Sequence, residues 1–424
     1  MAIFASDVTP AIGHPLCGGW IKPVAVISQP LVLKGVVLDD GRTRYVLASM
    51  DWCLLRGAAF DLFREKLARA AGIPVGQVAV HTTHTHSAPI GDALAEKLIA
   101  ATEKPPPHLD LEWLDRIARE AGSALETALH HLQPFTHVGV GQARVEQFAS
   151  NRRIVGPDGK IQVRFSTTKD PAIRDAPEGK IDPWLKTVTL YDQETPLVRL
   201  HYYASHPQSH YGEGEVHPDT PAMARAYLEN EEGVAQLYFT GCAGDVTAGK
   251  YNPGIPAARV SLSKQLYSGM IRSIAATRRV PVTSLSWKTV DVSFAPRREA
   301  AFSEAALRQV MSDPAATVSK RLHAAMGVAW AERLKTRPAV ELSRLRIGPA
   351  DILHLPGEPF VEYQLHAQAV RPDRFVAVAG YGEGGPGYIC SDAAIAEGGY
   401  EPTFCFVGPP SESRLKAGIE ELLK

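Results

Sequence analysis

Residues 31–51 read LVLKGVVLDDGRTRYVLASMD and residues 77–89 read QVAVHTTHTHSAP, and these two stretches decide the fold. In the first, apolar and polar residues alternate on both sides of Asp39-Asp40-Gly41, which predicts a β-hairpin. In the second, a β-branched strand runs straight into a histidine-bearing turn. Between them Phe60, Phe63, Leu67 and Ala70 recur at helical spacing, and Gly72 and Pro74 supply the stop. The hairpin plan returns in VTLYDQETPLVRLHYY around Gln193-Glu194 and in VELSRLRIGPADILHLPG around Gly348-Pro349, while VAQLYFTG reads as a further buried strand. Helical periodicity also marks Leu114, Ile117, Ala121, Leu125 and Ala128, the segment from Val260 to Ile274, and the residues after Thr220-Pro221, an N-cap with a first-turn proline. The C-terminal SRLKAGIEELLK reads as a short amphipathic helix.

The fold class expected is α/β: a single domain over 1–424, with helices packed on a mixed sheet and polar clusters on long loops at strand ends. No repeat or linker divides the sequence. Residues 143–185, rich in Arg, Lys, Asp, Gly and Pro, read as an extended functional loop.

Charge excludes several function classes. Lys+Arg 45 against Asp+Glu 46 gives a formal net charge of −1, with no basic excess for nucleic acid. No run approaches the roughly 18 apolar residues of a membrane helix. The start, MAIFASDVTPAIG, lacks the basic and apolar regions of a signal peptide, so a cytoplasmic location is expected. The five cysteines form no CxxC pair.

Chemistry concentrates in five segments. In His81-Thr82-Thr83-His84-Thr85-His86-Ser87-Ala88-Pro89, alternate residues of an extended chain point the same way, so His84 and His86 can face one cavity. Neutral imidazole is a common zinc ligand. A second cluster, Ser205-His206-Pro207-Gln208-Ser209-His210, could chelate through two histidines on a helix, but Pro207 and Gly212 favour a loop with one or two ligands. Two histidine loops need an anionic partner for a catalytic zinc, and Glu358 in Leu355-Pro356-Gly357-Glu358-Pro359 is the best candidate; its other reading is a cap for the helix that follows. Gly241-Cys242-Ala243-Gly244-Asp245-Val246-Thr247 reads on its own as a tight turn, although Thr247 could bind or attack a substrate. The loop Gly380–Tyr388 lacks phosphate-loop spacing, and its glycine content favours a flexible surface loop.

Taken in order, these segments resemble the neutral (non-lysosomal, alkaline) ceramidase family of zinc amidases. The resemblance runs from Asp7-Val8-Thr9-Pro10 through THTHSAP, Asn151-Arg152, Ser205-His206-Pro207, GCAGDVT and LPGE to Tyr388 and Tyr400. It implies that His84, His206, Glu358 and Tyr388 hold Zn2+, and that His86, Arg152 and Tyr400 surround the scissile carbonyl. Thr247 corresponds to the family's catalytic serine. The implied reaction is hydrolysis of an N-acyl (amide) bond by zinc-bound hydroxide, with His86 or Tyr400 helping to hold the oxyanion. The implied substrate is ceramide or a smaller N-acyl or lipid-like compound; ester hydrolysis of a non-lipid, or pure binding, are the alternatives. Two departures bear on substrate: the family's THTHSGPGG is THTHSAPIGD here, and Thr stands for Ser at 247. No C-terminal immunoglobulin-like domain is expected.

Overall fold

The computed structural model describes residues 1–424. One order of elements recurs three times along the chain: a strand, a long excursion, a hairpin, a helix, and a strand parallel to the second arm of the hairpin. The first copy is Ala2–Asp7, the hairpin Val32–Asp39 and Arg44–Met50, the helix Gly57–Ala71 and the strand Val78–Thr82. The second is His137–Arg144, Trp184–Asp192 with Thr195–Tyr203, Asp219–Glu232 and Ala235–Thr240. The third is Leu285–Ser293, Ala339–Ile347 with Ala350–Pro356, Val361–Val370 and Phe375–Gly382. The three copies show no repeat in sequence, because what recurs is topology and alternation rather than particular residues.

Copies one and three join through their last strands into one eight-stranded mixed sheet, paired at His81 and Gly382. Gly382 is required there, since a Cβ would come within 2.3 Å of the His81 ring. Copy two, with Arg278–Pro281 at its edge, forms a separate five-stranded sheet. The two sheets pack face to face. Val36, Leu38, Leu47 and Ala79 of the large sheet share a core with Val188, Leu200, Leu237 and Phe239 of the small one.

Strand residues alternate between faces, so Val37, Val46, Val78 and Val80 point the other way, into a core with Phe63 and Leu67 of helix Gly57–Ala71 and Ile117 and Leu125 of helix Leu111–Leu129. Helices Val318–Thr336 and Ser411–Leu423 cover the rest of that outer face, and helices Asp219–Glu232 and Pro256–Ala275 cover the small sheet. The result is four layers, helix–sheet–sheet–helix. No helix is long and apolar enough to cross a membrane.

Three local expectations differ from what is observed. The helix expected after Thr220-Pro221 already begins at Asp219, and the Asp219 carboxylate accepts from Ser209 N–H (3.1 Å) and Oγ–H (2.7 Å), clamping the second histidine loop. Glu358 caps nothing: the Val361 N–H at the start of the following helix is accepted by Asp245 Oδ1 at 2.8 Å. The glycine-rich loop from 380 to 388 is buried rather than on the surface, and a Cβ on Gly385 would come within 2.2 Å of the Gly357 nitrogen.

That burial traps a carboxyl group. Glu383 is 2% exposed, with its nearest imidazole, His81 Nε2, 3.8 Å away, and desolvation pushes its pKa up to about 8. Because the folded value lies above the unfolded one, its contribution to stability is complete below about pH 4.5 and is lost as pH rises towards 8. Urea titrations of wild type and Glu383→Gln across this range should show the wild type losing about 1 kcal/mol more per pH unit than the variant.

Candidate functional site

In parallel α/β arrangements, ligands bind beyond the carboxyl ends of the strands. The parallel strand pairs of all three copies send their carboxyl-terminal loops to one place. Thr82 ends a fully buried strand, and His84 follows in the left-handed region at φ +65°, a conformation that costs a non-glycine residue roughly 1 kcal/mol or more. It is pinned there by its own N–H to Trp52 O (2.9 Å), by Nδ1–H to Cys53 O (2.7 Å), and by Tyr381 stacked on its ring at 4.1 Å. Tyr381 is also left-handed, at φ +60°.

His206 follows the second hairpin arm of copy two, Thr195–Tyr203, in a loop, as Pro207 and Gly212 predict. Its Nδ1–H donates to Ala243 O (2.6 Å) and Val246 O (3.1 Å). Glu358 follows the second hairpin arm of copy three, Ala350–Pro356. Gly357 adopts φ +60° and leaves no space for a Cβ against Gly387 O, at 2.4 Å, which explains the glycine before the glutamate. Glu358 then pairs in register with Tyr388.

These loops bring three buried acceptor atoms together. Glu358 Oε2 lies 3.2 Å from His84 Nε2 and 3.6 Å from His206 Nε2, and none of the three makes a hydrogen bond. Burial, with the Arg152 and His84 charges nearby, lowers the His206 pKa to about 3, so its imidazole is neutral. Burial opposes charge on Glu358, but the two imidazoles hold its carboxyl well below the usual carboxylate range. The ligand nitrogens of His84, His86 and His206 also lie within 4.8 Å of one another. Three nitrogen and oxygen atoms so close together, buried and without hydrogen-bond partners, fit a cation.

Around it, Arg152 Nη2 donates to the Tyr388 hydroxyl at 2.8 Å and to Gly244 O, while its Nε faces Glu401 Oε1 at 3.1 Å. The Arg152 guanidinium lies over the rings of Tyr388 and Tyr400, at 5.5 and 5.4 Å. His86 is half-buried, with Nδ1 3.1 Å from His84 O and Tyr211 at 5.4 Å between ring centres. Burial and the neighbouring imidazoles push its pKa well down. Burial raises that of Tyr400, which stays a neutral hydroxyl. His84, His86, Arg152, Glu358, Tyr388 and Tyr400 line one cavity. His206 is fully buried behind it. Thr247 is also fully buried and does not line the cavity; its hydroxyl accepts from Gly249 N–H at 2.9 Å.

The three long excursions, one per copy, roof the cavity: Cys17 and Trp20 from the first, Phe165 from the second, His323 and Met326 from the third. Sequence reading singled out none of these residues. Only the stretch from 143 to 185 was marked as functional, by its composition. His323 and Met326 sit on the helix Val318–Thr336, whose sequence has little amphipathic pattern, and carry no local signal.

No protein-family model matches the chain, and no curated protein sequence does. Solved structures do match. Neutral ceramidase from Pseudomonas aeruginosa superposes with a TM-score of 0.75 at 16% identity, over 99% of this chain and 73% of that one. A ceramidase complexed with C2 gives 0.73 at 15%, over 99% and 74%. The chain has the neutral ceramidase fold. On that fold the donors present, two imidazole nitrogens and a carboxylate with a tyrosine hydroxyl close by, form the mixed nitrogen–oxygen set that suits zinc.

Elemental analysis of protein purified without added metal tests the fit. Glu358→Gln should carry about one zinc per chain fewer than wild type, with circular dichroism unchanged. Equal metal in both proteins would remove Glu358 from the ligand set.

Proposed function

We propose that this protein is a zinc-dependent amidohydrolase that cleaves an N-acyl bond. The observation that carries the proposal is the cluster of His84 Nε2, His206 Nε2 and Glu358 Oε2, buried without hydrogen bonds, with His84 and Glu358 in the wall of a cavity lined by apolar and polar residues and His206 behind them. His84, His206, Glu358 and Tyr388 would hold the metal, which when bound supplies a Lewis acid for water and carbonyl alike.

The chain's own residues do the rest. The carbonyls of Cys53, Ala243 and Val246 fix the Nδ1–H tautomers of His84 and His206, so that both Nε2 lone pairs face inward. Arg152, held by Glu401, keeps the Tyr388 hydroxyl oriented. Tyr400, neutral at physiological pH, donates a hydrogen bond to the substrate carbonyl oxygen as charge develops there. His86 engages the His84 carbonyl through Nδ1, which leaves Nε2 to take up a proton and pass it to the leaving amine.

The cavity measures about 140 Å³, close to the ~150 Å³ that encloses a benzene ring. A short acyl group, or the small head of a larger N-acyl compound, suits such walls, and a longer chain would extend out through the cavity's open side. An ester of similar size presents the same carbonyl.

A panel of N-acyl amines and matching esters, from acetyl to palmitoyl, tests this with and without a chelator. Cleavage should be abolished by chelation, be restored by zinc and favour the short acyl groups. His86→Ala should lower kcat by roughly 100–10,000-fold and Tyr400→Phe by roughly 100–1,000-fold, both with little change in KM. Chelator-insensitive cleavage would defeat the zinc reading.

A further inference from the structure

Beside the acceptor cluster, the same cavity wall holds two thiols that the proposed reaction does not use. Cys17 Sγ and Cys53 Sγ are 3.8 Å apart, and with a ring nitrogen of His86 they form a second trio whose ligand atoms all lie within 4.8 Å of one another. Cys17 is 6% and Cys53 1% exposed, and all three residues line the cavity.

Their placement is built rather than incidental. One turn, Ser87-Ala88-Pro89, directly follows His86 and fixes both cysteines: Cys17 N–H donates to Ala88 O at 2.8 Å and Cys53 N–H to Pro89 O at 3.0 Å. Cys17 is held at φ +46°, a left-handed conformation unusual for cysteine. The sulfur spacing is also what an ion requires. Two sulfurs about 2.3 Å from one tetrahedral centre lie about 3.8 Å apart. With His86 as the third donor, one position remains for water.

We propose that Cys17, Cys53 and His86 form a second metal site, selective for thiophilic divalent cations such as zinc or cadmium. Binding converts both thiols to thiolates, so two protons leave to solvent for each ion bound. No oxidant or reductant takes part. Because His86 is the imidazole assigned to proton transfer, an ion here occupies it. The second ion therefore inhibits without displacing the first, a consequence that rests on the function proposed above for His86.

The test is cadmium titration of reduced, metal-free full-length protein, following the ultraviolet thiolate-to-cadmium charge-transfer band alongside bound metal by equilibrium dialysis. Wild type should take up two ions per chain, one of them accompanied by the band. Cys17→Ser and Cys53→Ser should each bind one ion fewer with the band weakened or lost, and Glu358→Gln should keep the band while losing the other ion. Saturation of wild type without a thiolate band would overturn the second site, whatever the variants do. A band with only one ion bound, unchanged by Glu358→Gln, would uphold the second site and count against the His84–His206–Glu358 centre.

Discussion

One electrostatic constraint governs the site: two imidazole nitrogens and a carboxylate oxygen face each other, buried and without hydrogen-bond partners. Glu358 Oε2 sits 3.2 and 3.6 Å from the two Nε2 atoms, and hydrogen bonds reach none of them. A buried polar atom left unpaired costs roughly 1–3 kcal/mol, and a buried, unpaired carboxylate costs more. Burial opposes charge on the carboxyl, but the two facing imidazoles hold it well below the usual carboxylate range, so it stays ionised. A cation would satisfy all three atoms at once.

The fold meets this constraint by bringing loops from distant parts of the chain to one point. His84 follows the last strand of copy one, His206 the second hairpin arm of copy two and Glu358 that of copy three. In each case the ligand is placed within three residues of a buried strand, where backbone hydrogen bonds fix direction. Three of the eight non-glycine residues with positive φ lie here: Cys17, His84 and Tyr381. Such conformations persist only where the surroundings over-determine them, and here they are clamped by carbonyls and a stacked ring. The excursions that roof the site also sit at equivalent positions, after the first strand of each copy. Scaffold and lid are thus separable. The hairpin–helix–strand units carry the ligands, while the inserted segments set the size and lining of the cavity.

This separation explains what could be read in advance. All three hairpins and the helices over 57–71, 111–129 and 256–275 announce themselves by period-two or period-3.6 patterns. The strands over 78–82 and 235–240 do so by short apolar runs, whereas the helix Val318–Thr336, buried at every residue from Ala324 to Trp330, carries no such pattern. His84, His206 and Glu358 stand out because polar residues directly after buried strands are chemically conspicuous. Tyr388 and Arg152 do not, and only the resemblance in ordered motifs pointed to them. The threefold topology was invisible because alternation constrains hydrophobicity, not identity. The burial of residues 380–388 was missed for a related reason. Glycine signals close backbone approach as readily as flexibility, and only the neighbouring loop of Gly357 decides between them. Trp20, Phe165, His323 and Met326 could not be found, because a roof is defined by what it covers.

The GCAGDVT segment shows how a motif can be indispensable and yet contribute no ligand. Its Ala243 and Val246 carbonyls hold His206; its Asp245 side chain caps the helix after Glu358 and accepts from Asn151 Nδ2 at 2.7 Å. Gly244 donates to Pro359 O at 2.9 Å, and a Cβ there would come within 2.5 Å of Glu358 O, so only glycine lets the two loops touch. Arg152 reaches the Gly244 carbonyl and donates its own N–H to Asp245 O at 2.7 Å. One seven-residue turn therefore sets the relative positions of the His206, Glu358 and Arg152 loops. Thr247, at its end, is fully buried, and its hydroxyl accepts from Gly249 N–H within the same turn. A hydroxyl spent on closing the turn needs an oxygen at that atom but tolerates an added methyl group, which accounts physically for threonine at a position where the ceramidase resemblance implies serine. The segment is best understood as the keystone that makes the acceptor cluster possible.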